Sequence, residues 1–306
     1  MSQRWSLVLA GGDGMRLRPL TAIIAGDLRP KQFCAVLGPE TLLEQTLRRA
    51  TRVSDPARTL LLLTGGHRPY WTPLLGDAPA GRLLVQPANR GTAPAILYGL
   101  LRIAAGDPTG AVALLPSDHW VSDDARFMRH VATAFDAIEA RPDLVVLLGV
   151  APESAETEYG WIQPAAPVGA GGLLRVRRFV EKPPRQEAAR LLRRGGLWNS
   201  FVLVARVPAL LATLRRSAPD LDGAFAAVAA ALGTAAEPEA LGALYAALPA
   251  ADFSQRVLAP CPANLAVLPV RDVEWSDLGH PRRVMLTLAR RQMHPEWIER
   301  RAATLA

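Results

Sequence analysis

The sequence predicts an α/β fold with a mixed, mostly parallel central sheet, and three observations carry that expectation. Near-continuous apolar runs alternate with amphipathic stretches through the first half of the chain, as in βα units whose strands are buried on both faces. Glycine-rich or turn-forming loops follow those runs directly. After Gly149 the texture shifts to alternating apolar and polar residues, the pattern of antiparallel strands.

In chain order, WSLVLA (5–10) reads as the first strand and runs into the loop GGDG. TLLEQTLRRA (41–50) reads as a helix with Thr41 as N-cap, and Glu44 three positions on completes a capping box. TLLLLTG (59–65) and RLLVQP (82–87) read as strands; NRGTAPAILYGLLRIAAG (89–106) reads as a helix capped by Thr92, tolerating Pro94 in its first turn and closed by Gly106. AVALLPSD (111–118) and LVVLLGV (144–150) are further buried strands. EYGWIQPA (158–165), LLRVRRFVEKPP (173–184) and LWNSFVLVARV (197–207) follow as antiparallel strands. Helices are expected over roughly 220–232 and 237–248, then a strand ANLAVLPV (263–270), a loop EWSDLG (274–279) and a helical tail carrying Arg282, Arg283, Arg290 and Arg291.

Composition narrows the function. Of 306 residues 50% are hydrophobic, which excludes a mainly disordered chain. The net charge of +7 suits anionic partners, yet arginines are spread from Arg4 to Arg301 without aromatic interleaving, so no nucleic-acid partner is expected. No apolar stretch approaches the ~20 residues of a membrane span, and no signal-peptide pattern precedes WSLVLA. Cys34 and Cys261 show no metal-ligand spacing. A reduced, cytoplasmic protein with both cysteines packed inside is the expectation.

The loop LVLAGGDGMRLRPLT is neither of two better-known phosphate loops. Leu17 stands where a dinucleotide fingerprint has its third glycine, and no Gly-Lys-Ser/Thr triplet is present. Arg16 and Arg18 would add guanidinium groups to the backbone donors around a phosphate. Ligands of open parallel sheets lie beyond the carboxyl ends of strands, so QPANRGTAP, PSDH and WSDLG are candidate partners of this loop.

With LAGGDGMRLRPLT, RPKQFCAVLG, NRGTAPAI, LLPSDH, EYGWIQ, RFVEKPP, LWNS and WSDLG in that order, the chain resembles the sugar-1-phosphate nucleotidyltransferases and, within them, the mannose-1-phosphate guanylyltransferases. The resemblance implies a Rossmann-like, GT-A-like three-layer sandwich, with a catalytic domain over 1–284 and a C-terminal helical tail over 285–306. It implies attack by a sugar 1-phosphate on the α-phosphorus of a nucleoside triphosphate, with GTP and mannose 1-phosphate favoured and GDP-mannose and pyrophosphate as products. That nucleophile is already anionic, in keeping with five histidines that form no nucleophile-activating set.

By the same matching, Arg16 and Lys31 would hold the β- and γ-phosphates, and Asp118 and Asp277 would bind Mg2+. Ala10, Gly11, Gly12, Gly14, Gln86, Asn89, Gly91 and Thr92 would meet the nucleotide. Gly160, Glu181, Lys182 and Asn199 would meet the sugar phosphate. His119 would orient its loop. Phe201 follows LWNS where the guanylyltransferases commonly carry glycine, which leaves the shape of the sugar pocket open. The same chemistry on glucose 1-phosphate with UTP or dTTP is one alternative, and a nucleotide-sugar-binding regulator without turnover is another. Homodimerisation stays open. Ending about two helices after WSDLG, the chain is expected to be monofunctional.

Overall fold

The computed structural model describes residues 3–168 and 171–299. The apolar runs become strands whose side chains alternate between two helical layers. The elements are β1 (Arg4–Leu9), α1 (Arg18–Ala25), α2 (Leu42–Ala50), β2 (Thr59–Thr64), α3 (Arg68–Leu75), β3 (Leu83–Gln86), α4 (Thr92–Gly106), β4 (Ala111–Pro116), β5 (Trp120–Val121), α5 (Asp124–Ala140) and β6 (Val145–Val150). They continue with β7 (Gly160–Pro167), β8 (Leu174–Glu181), α6 (Arg185–Arg193), β9 (Leu197–Arg206), α7 (Val207–Ser217), α8 (Pro219–Ala224), α9 (Ala226–Ala231), α10 (Glu237–Ala247), β10 (Leu265–Val270), β11 (Trp275–Ser276) and α11 (Pro281–Arg290).

Nine strands form one sheet in the order β3-β2-β1-β4-β9-β6-β10-β8-β7, and β11 pairs with β5 in a small second one. The pairs β1·β2, β1·β4, β2·β3 and β6·β10 are parallel. Strand β9 runs antiparallel between β4 and β6, and β8 opposes both β10 and β7, so the remaining strands all point one way. The sheet is mixed, as expected: among the described residues seven of its nine strands run one way, with four parallel and five antiparallel pairings.

Because side chains alternate along a strand, Val8, Leu61, Leu115 and Val146 face one layer while Leu7, Leu62, Leu114 and Val145 face the other. The first layer packs Trp71 of α3 and Phe127, Val131 and Phe135 of α5; the second packs Ile96 and Leu100 of α4, Leu210 of α7 and Tyr245 of α10. A third cluster joins α1 to α11 through Leu17, Leu20, Trp120, Leu278, Val284 and Leu288. The sheet thus lies between two helical layers as a three-layer sandwich, with α11 docked near the first loop.

The capping box forms as read, with the Glu44 N–H donating to Thr41 Oγ1 at 3.2 Å and the Thr41 N–H to Glu44 Oε2 at 2.7 Å. Other details differ. Thr92 does not cap α4: Gly91 holds the N-cap at φ 84°, and Thr92 Oγ1 instead accepts the Phe253 N–H at 2.8 Å, pinning a distant segment. The helix does end at Gly106, as read. The helix expected over 220–232 breaks at buried Phe225 into α8 and α9, and EWSDLG contains β11. Cys34 is buried, its thiol pushed up to about 12 mainly by burial, but Cys261 is only half-buried. The division expected between 284 and 285 falls inside α11, and residues 300–306 lie outside the described residues. No described helix is long and apolar enough to cross a membrane.

Gly91 tests this arrangement. Its φ lies in the left-handed region, and a Cβ there would collide with the Ala251 carbonyl. Gly91→Ala should lower unfolding stability by about 2 kcal/mol or more, read as a lower urea midpoint at unchanged slope. An unchanged midpoint would mean that the 250–253 segment yields freely.

Candidate active site

The first loop is shaped by side chains that take up its carbonyl groups. Gln32 Nε2 donates to the carbonyls of Ala10 and Gly12 at 3.1 and 2.8 Å, and Thr64 Oγ1 donates to that of Gly11 at 2.9 Å. A Cβ at Gly11 would stand 2.9 Å from both Gln86 Nε2 and Thr64 Oγ1, so a side chain there would have to displace them. The loop is held open against the ends of β2 and β3.

That loop forms one wall of a cleft of about 610 Å³ at the carboxyl ends of the parallel strands. The cleft gathers Gly11, Gly12, Arg16, Gln86, Asn89, Gly91, Thr92, Asp118, Gly160, Glu181, Lys182, Asn199 and Asp277. Gly14 and Lys31 line an adjoining hollow of about 300 Å³, which shares Arg16, Asp118 and Asp277 with the cleft. Ala10 lines neither: it is buried behind the loop, its N–H donating to the Leu62 carbonyl at 2.8 Å. Four loops far apart in sequence therefore converge.

Both amides expected to face the base line the cleft and also make contacts within the protein. Gln86 is buried, with Oε1 accepting the Tyr245 hydroxyl at 2.9 Å. Asn89 donates to Asp13 Oδ2 at 2.7 Å and accepts the Gly91 N–H at 2.9 Å. These contacts stiffen the wall, and Asp13 is fixed in turn by His67 Nε2 at 3.1 Å.

Charges at the mouth of the cleft form a continuous chain. Lys31 Nζ lies 3.2 Å from Asp118 Oδ2 and donates to the Asp277 main-chain carbonyl. The Asp277 carboxylate accepts the Tyr159 hydroxyl at 2.9 Å, the Gly279 N–H at 2.9 Å and Arg283 Nη1 at 3.0 Å. Arg283 stacks on the Tyr159 ring at 4.5 Å and binds Glu156 and Glu158, each at 2.8 Å; Glu158 also pairs with Arg16 at 2.8 Å. Burial pushes the Asp277 carboxyl up, but Lys31, Arg283 and His119 together pull it below its ordinary value. Burial likewise pushes Arg283 down, and Asp277 with Tyr159 and Glu156 more than offset it.

Sequence reasoning missed this part. Arg283 reads as one basic residue of a tail, and its partners Glu156, Glu158 and Tyr159 lie more than 100 residues away. The one available signal was its place in the turn just after WSDLG.

Asp118 and Asp277 offer only oxygen donors on a shared wall, and no cluster of three or more metal-ligating side chains occurs among the described residues. That donor set fits a magnesium ion, which takes one or two carboxylates and completes its octahedron with water and phosphate oxygens. Asp277 Oδ2 has a longer contact with Arg283 Nη1 at 3.1 Å, so acceptor capacity remains there. The His119 ring sits edge-on to Trp275 at 5.2 Å, with Nε2 3.5 Å from Asp118 Oδ1, and burial pushes its pKa down. It braces Asp118.

On the opposite wall, Glu181 is held above its ordinary value first by burial and then by the charge of Asp252, with Lys182 Nζ 3.6 Å away. Gly160 leaves room for it, because a Cβ there would stand 2.7 Å from Glu181 Oε2 and 3.3 Å from Asn199 Cβ. Asn199 Oδ1 accepts the Phe201 N–H at 3.1 Å. Asp252, Gln255 and Phe201 also line the cleft. Neither Asp252 nor Gln255 sits in a recognisable motif. Lys182 and Phe201 both adopt positive φ, 46° and 61°, a conformation that costs about 1–3 kcal/mol outside glycine and gathers at functional sites.

Fold and cleft together give an α/β protein whose ligand space lies at the carboxyl ends of parallel strands. Residues 5–288 match the nucleotidyl transferase family, and the chain belongs to that family. Its relatives include a mannose-1-phosphate guanylyltransferase of Sinorhizobium fredii, 31% identical over 285 residues that make up 89% of this chain and 52% of the relative. Another is the xanthan biosynthesis protein XanB of Xanthomonas campestris pv. campestris, 34% identical over 230 residues, 73% of this chain and 46% of the relative. Among solved structures, a protein of Thermus thermophilus described as a mannose-1-phosphate geranyltransferase aligns with a TM-score of 0.78 at 33% identity, over 92% of this chain and 79% of that one. The chain spans about half the length of the curated relatives it matches.

The Glu181 environment has a pH signature. Its folded pKa lies above the ordinary 4.5, so its preference for the folded state is complete below that value and is lost as pH rises through the folded pKa. Glu181→Gln removes the ionising group. The wild type should therefore lose thermal stability relative to Glu181→Gln between pH 4 and pH 7, as followed by circular dichroism. A difference in melting temperature that is the same at both pH values would contradict the assignment.

Proposed function

We propose that the protein is a magnesium-dependent sugar-1-phosphate nucleotidyltransferase that forms GDP-mannose and pyrophosphate from mannose 1-phosphate and GTP. The observation that carries this reading is the convergence of Arg16, Lys31, Asp118 and Asp277 on one cleft and its adjoining hollow, facing Glu181, Lys182 and Asn199 across the same space. The names of the relatives supply the choice of mannose and guanosine.

In the reaction, a phosphate oxygen of the sugar 1-phosphate forms a bond to the α-phosphorus as the bond to the bridging β-oxygen breaks, and pyrophosphate leaves with the electron pair. The nucleophile carries its negative charge already, so the site needs no general base. Arg16 and Lys31 lower the barrier by neutralising charge on the leaving pyrophosphate. Arg16 exchanges its Glu158 partner for phosphate when the nucleotide arrives. Lys182 draws in the sugar phosphate, and Glu181 with Asn199 orients the sugar hydroxyls, so that the attacking oxygen is held near its target. Asp118 and Asp277 would hold the magnesium ion, whose chemistry is to neutralise phosphate oxygens when it is bound. Gly11 and Gly12 let the nucleotide approach the backbone closely.

A matrix of nucleoside triphosphates and sugar 1-phosphates, scored by pyrophosphate release, tests the reading: GTP with mannose 1-phosphate should give the highest kcat/KM. Release with another pair would reassign the substrates. Tight nucleotide-sugar binding with no release from any pair would replace the enzyme by a regulator. Lys31→Ala should lower kcat by a factor of about 10²–10³, the effect of removing one donor to a developing anion. Chelation of divalent ions should abolish release and added Mg2+ should restore it; activity that persists in excess chelator would remove the metal from the proposal.

A further inference from the structure

Strand β9 widens at the cleft. Between β6 and β9 the register steps from Leu147 opposite Leu203 to Gly149 opposite Asn199, so β9 has two residues more than its partner over this stretch. Ser200, Phe201 and Val202 form the resulting bulge, a device that re-aims a side chain next to a site. Phe201 holds it at φ 61°, the left-handed region that favours glycine.

The bulge is fixed from several sides. Asn199 Oδ1 accepts the Phe201 N–H at 3.1 Å, and Ser200 Oγ donates to the Leu148 carbonyl at 2.7 Å while accepting the Val202 N–H at 3.2 Å. The Phe201 ring meets the Phe253 ring at 6.3 Å, edge to face, and the Phe253 N–H is held by Thr92. Ala251, two residues earlier, is tied to the start of α4 through Arg90 and Ala93. A half-buried phenyl group is therefore set rigidly into the cleft wall, against the backbone's own preference.

The Phe201 N–H is held by Asn199, whose Cβ stands 3.3 Å from where a Gly160 Cβ would be, with Glu181 Oε2 2.7 Å from the same point, and all four residues line the cleft. Resting on the proposed assignment of these residues to the sugar phosphate, we propose that Phe201 determines sugar specificity. Its ring closes the sugar half of the cleft to all but hydroxyl-sized ring substituents, so hexose 1-phosphates enter and N-acetylhexosamine 1-phosphates are turned away. A flexible side chain would give way to the larger sugar; this one is braced.

The test compares wild type, Phe201→Gly and Phe201→Leu in pyrophosphate release at saturating GTP, with mannose 1-phosphate and with N-acetylglucosamine 1-phosphate. In Phe201→Gly the ratio of kcat/KM should move toward the N-acetylated sugar by about tenfold or more, the scale on which a pocket discriminates one small group. Phe201→Leu should move it part of the way, which keeps the proposal testable if the glycine variant folds poorly. The KM for GTP should stay within about twofold. An unchanged ratio in a wild type that turns over mannose 1-phosphate would overturn the proposal and leave the proposed function standing. A shift confined to the KM for GTP would overturn it also, placing the ring at the nucleotide. A wild type without turnover on any pair would remove the proposed function and this proposal with it.

Discussion

The Asp277 carboxylate lies largely out of water, and Lys31, Arg283 and His119 hold it below its ordinary pKa against the push of burial, while the Tyr159 hydroxyl donates to it. Removing a carboxylate from water costs several kcal/mol, and only close cationic partners and hydrogen bonds compensate. The compensation here comes from separate segments: Lys31 of the short turn Lys31–Phe33, Tyr159 just before β7, the Gly279 N–H two residues after Asp277 itself, and Arg283 of α11. The charge thus fixes the mutual positions of those segments, and withdrawing one partner from such a buried pair costs about 3–5 kcal/mol. Much of the cleft's mouth depends on this single balance.

The same network explains how a strongly charged site coexists with a stable fold. Arg283 bridges the carboxylates of Glu156, Glu158 and Asp277 and offsets part of their mutual repulsion. Arg16, by contrast, is tied to the network, among the described residues, through the half-exposed pair with Glu158. A surface pair of that kind contributes little to stability and exchanges easily. Arg16 is therefore the mobile cation of the set and Lys31, almost wholly buried, the fixed one.

The two walls of the cleft differ in origin. One comes from loops at the carboxyl ends of parallel strands, the position expected of any doubly wound sheet. The other comes from antiparallel strands, and the reversal of β9 brings its first residues to the edge where β6 ends, with Trp198 beside Val150 and Asn199 beside Gly149. A strand start consequently supplies Asn199 and the bulge at Phe201. The Lys182 and Phe201 backbones, both in the left-handed region, are retained in this wall, where neighbouring contacts over-determine them.

Local chemistry made much of this protein readable from its sequence. The glycine loop, the strands buried on both faces, the Thr41–Glu44 capping box and the loops carrying Asp118, Glu181 and Asp277 each depend on residues within a few positions of one another. Convergence of those loops follows from the parallel sheet that the strand pattern announces. Other features belong to tertiary structure alone. Thr92 has the composition of a cap, but the Phe253 N–H competes for its oxygen and wins. Gln86 and Asn89 have the composition of base-reading amides, yet Tyr245 and Asp13 engage them. Arg283 joins Asp277 to glutamates more than 100 residues away, and φ at Phe201 is set by a register step between two strands. Sequence proximity carries propensities and motifs; partners brought together only by the folded chain decide which of a side chain's several possible bonds it makes.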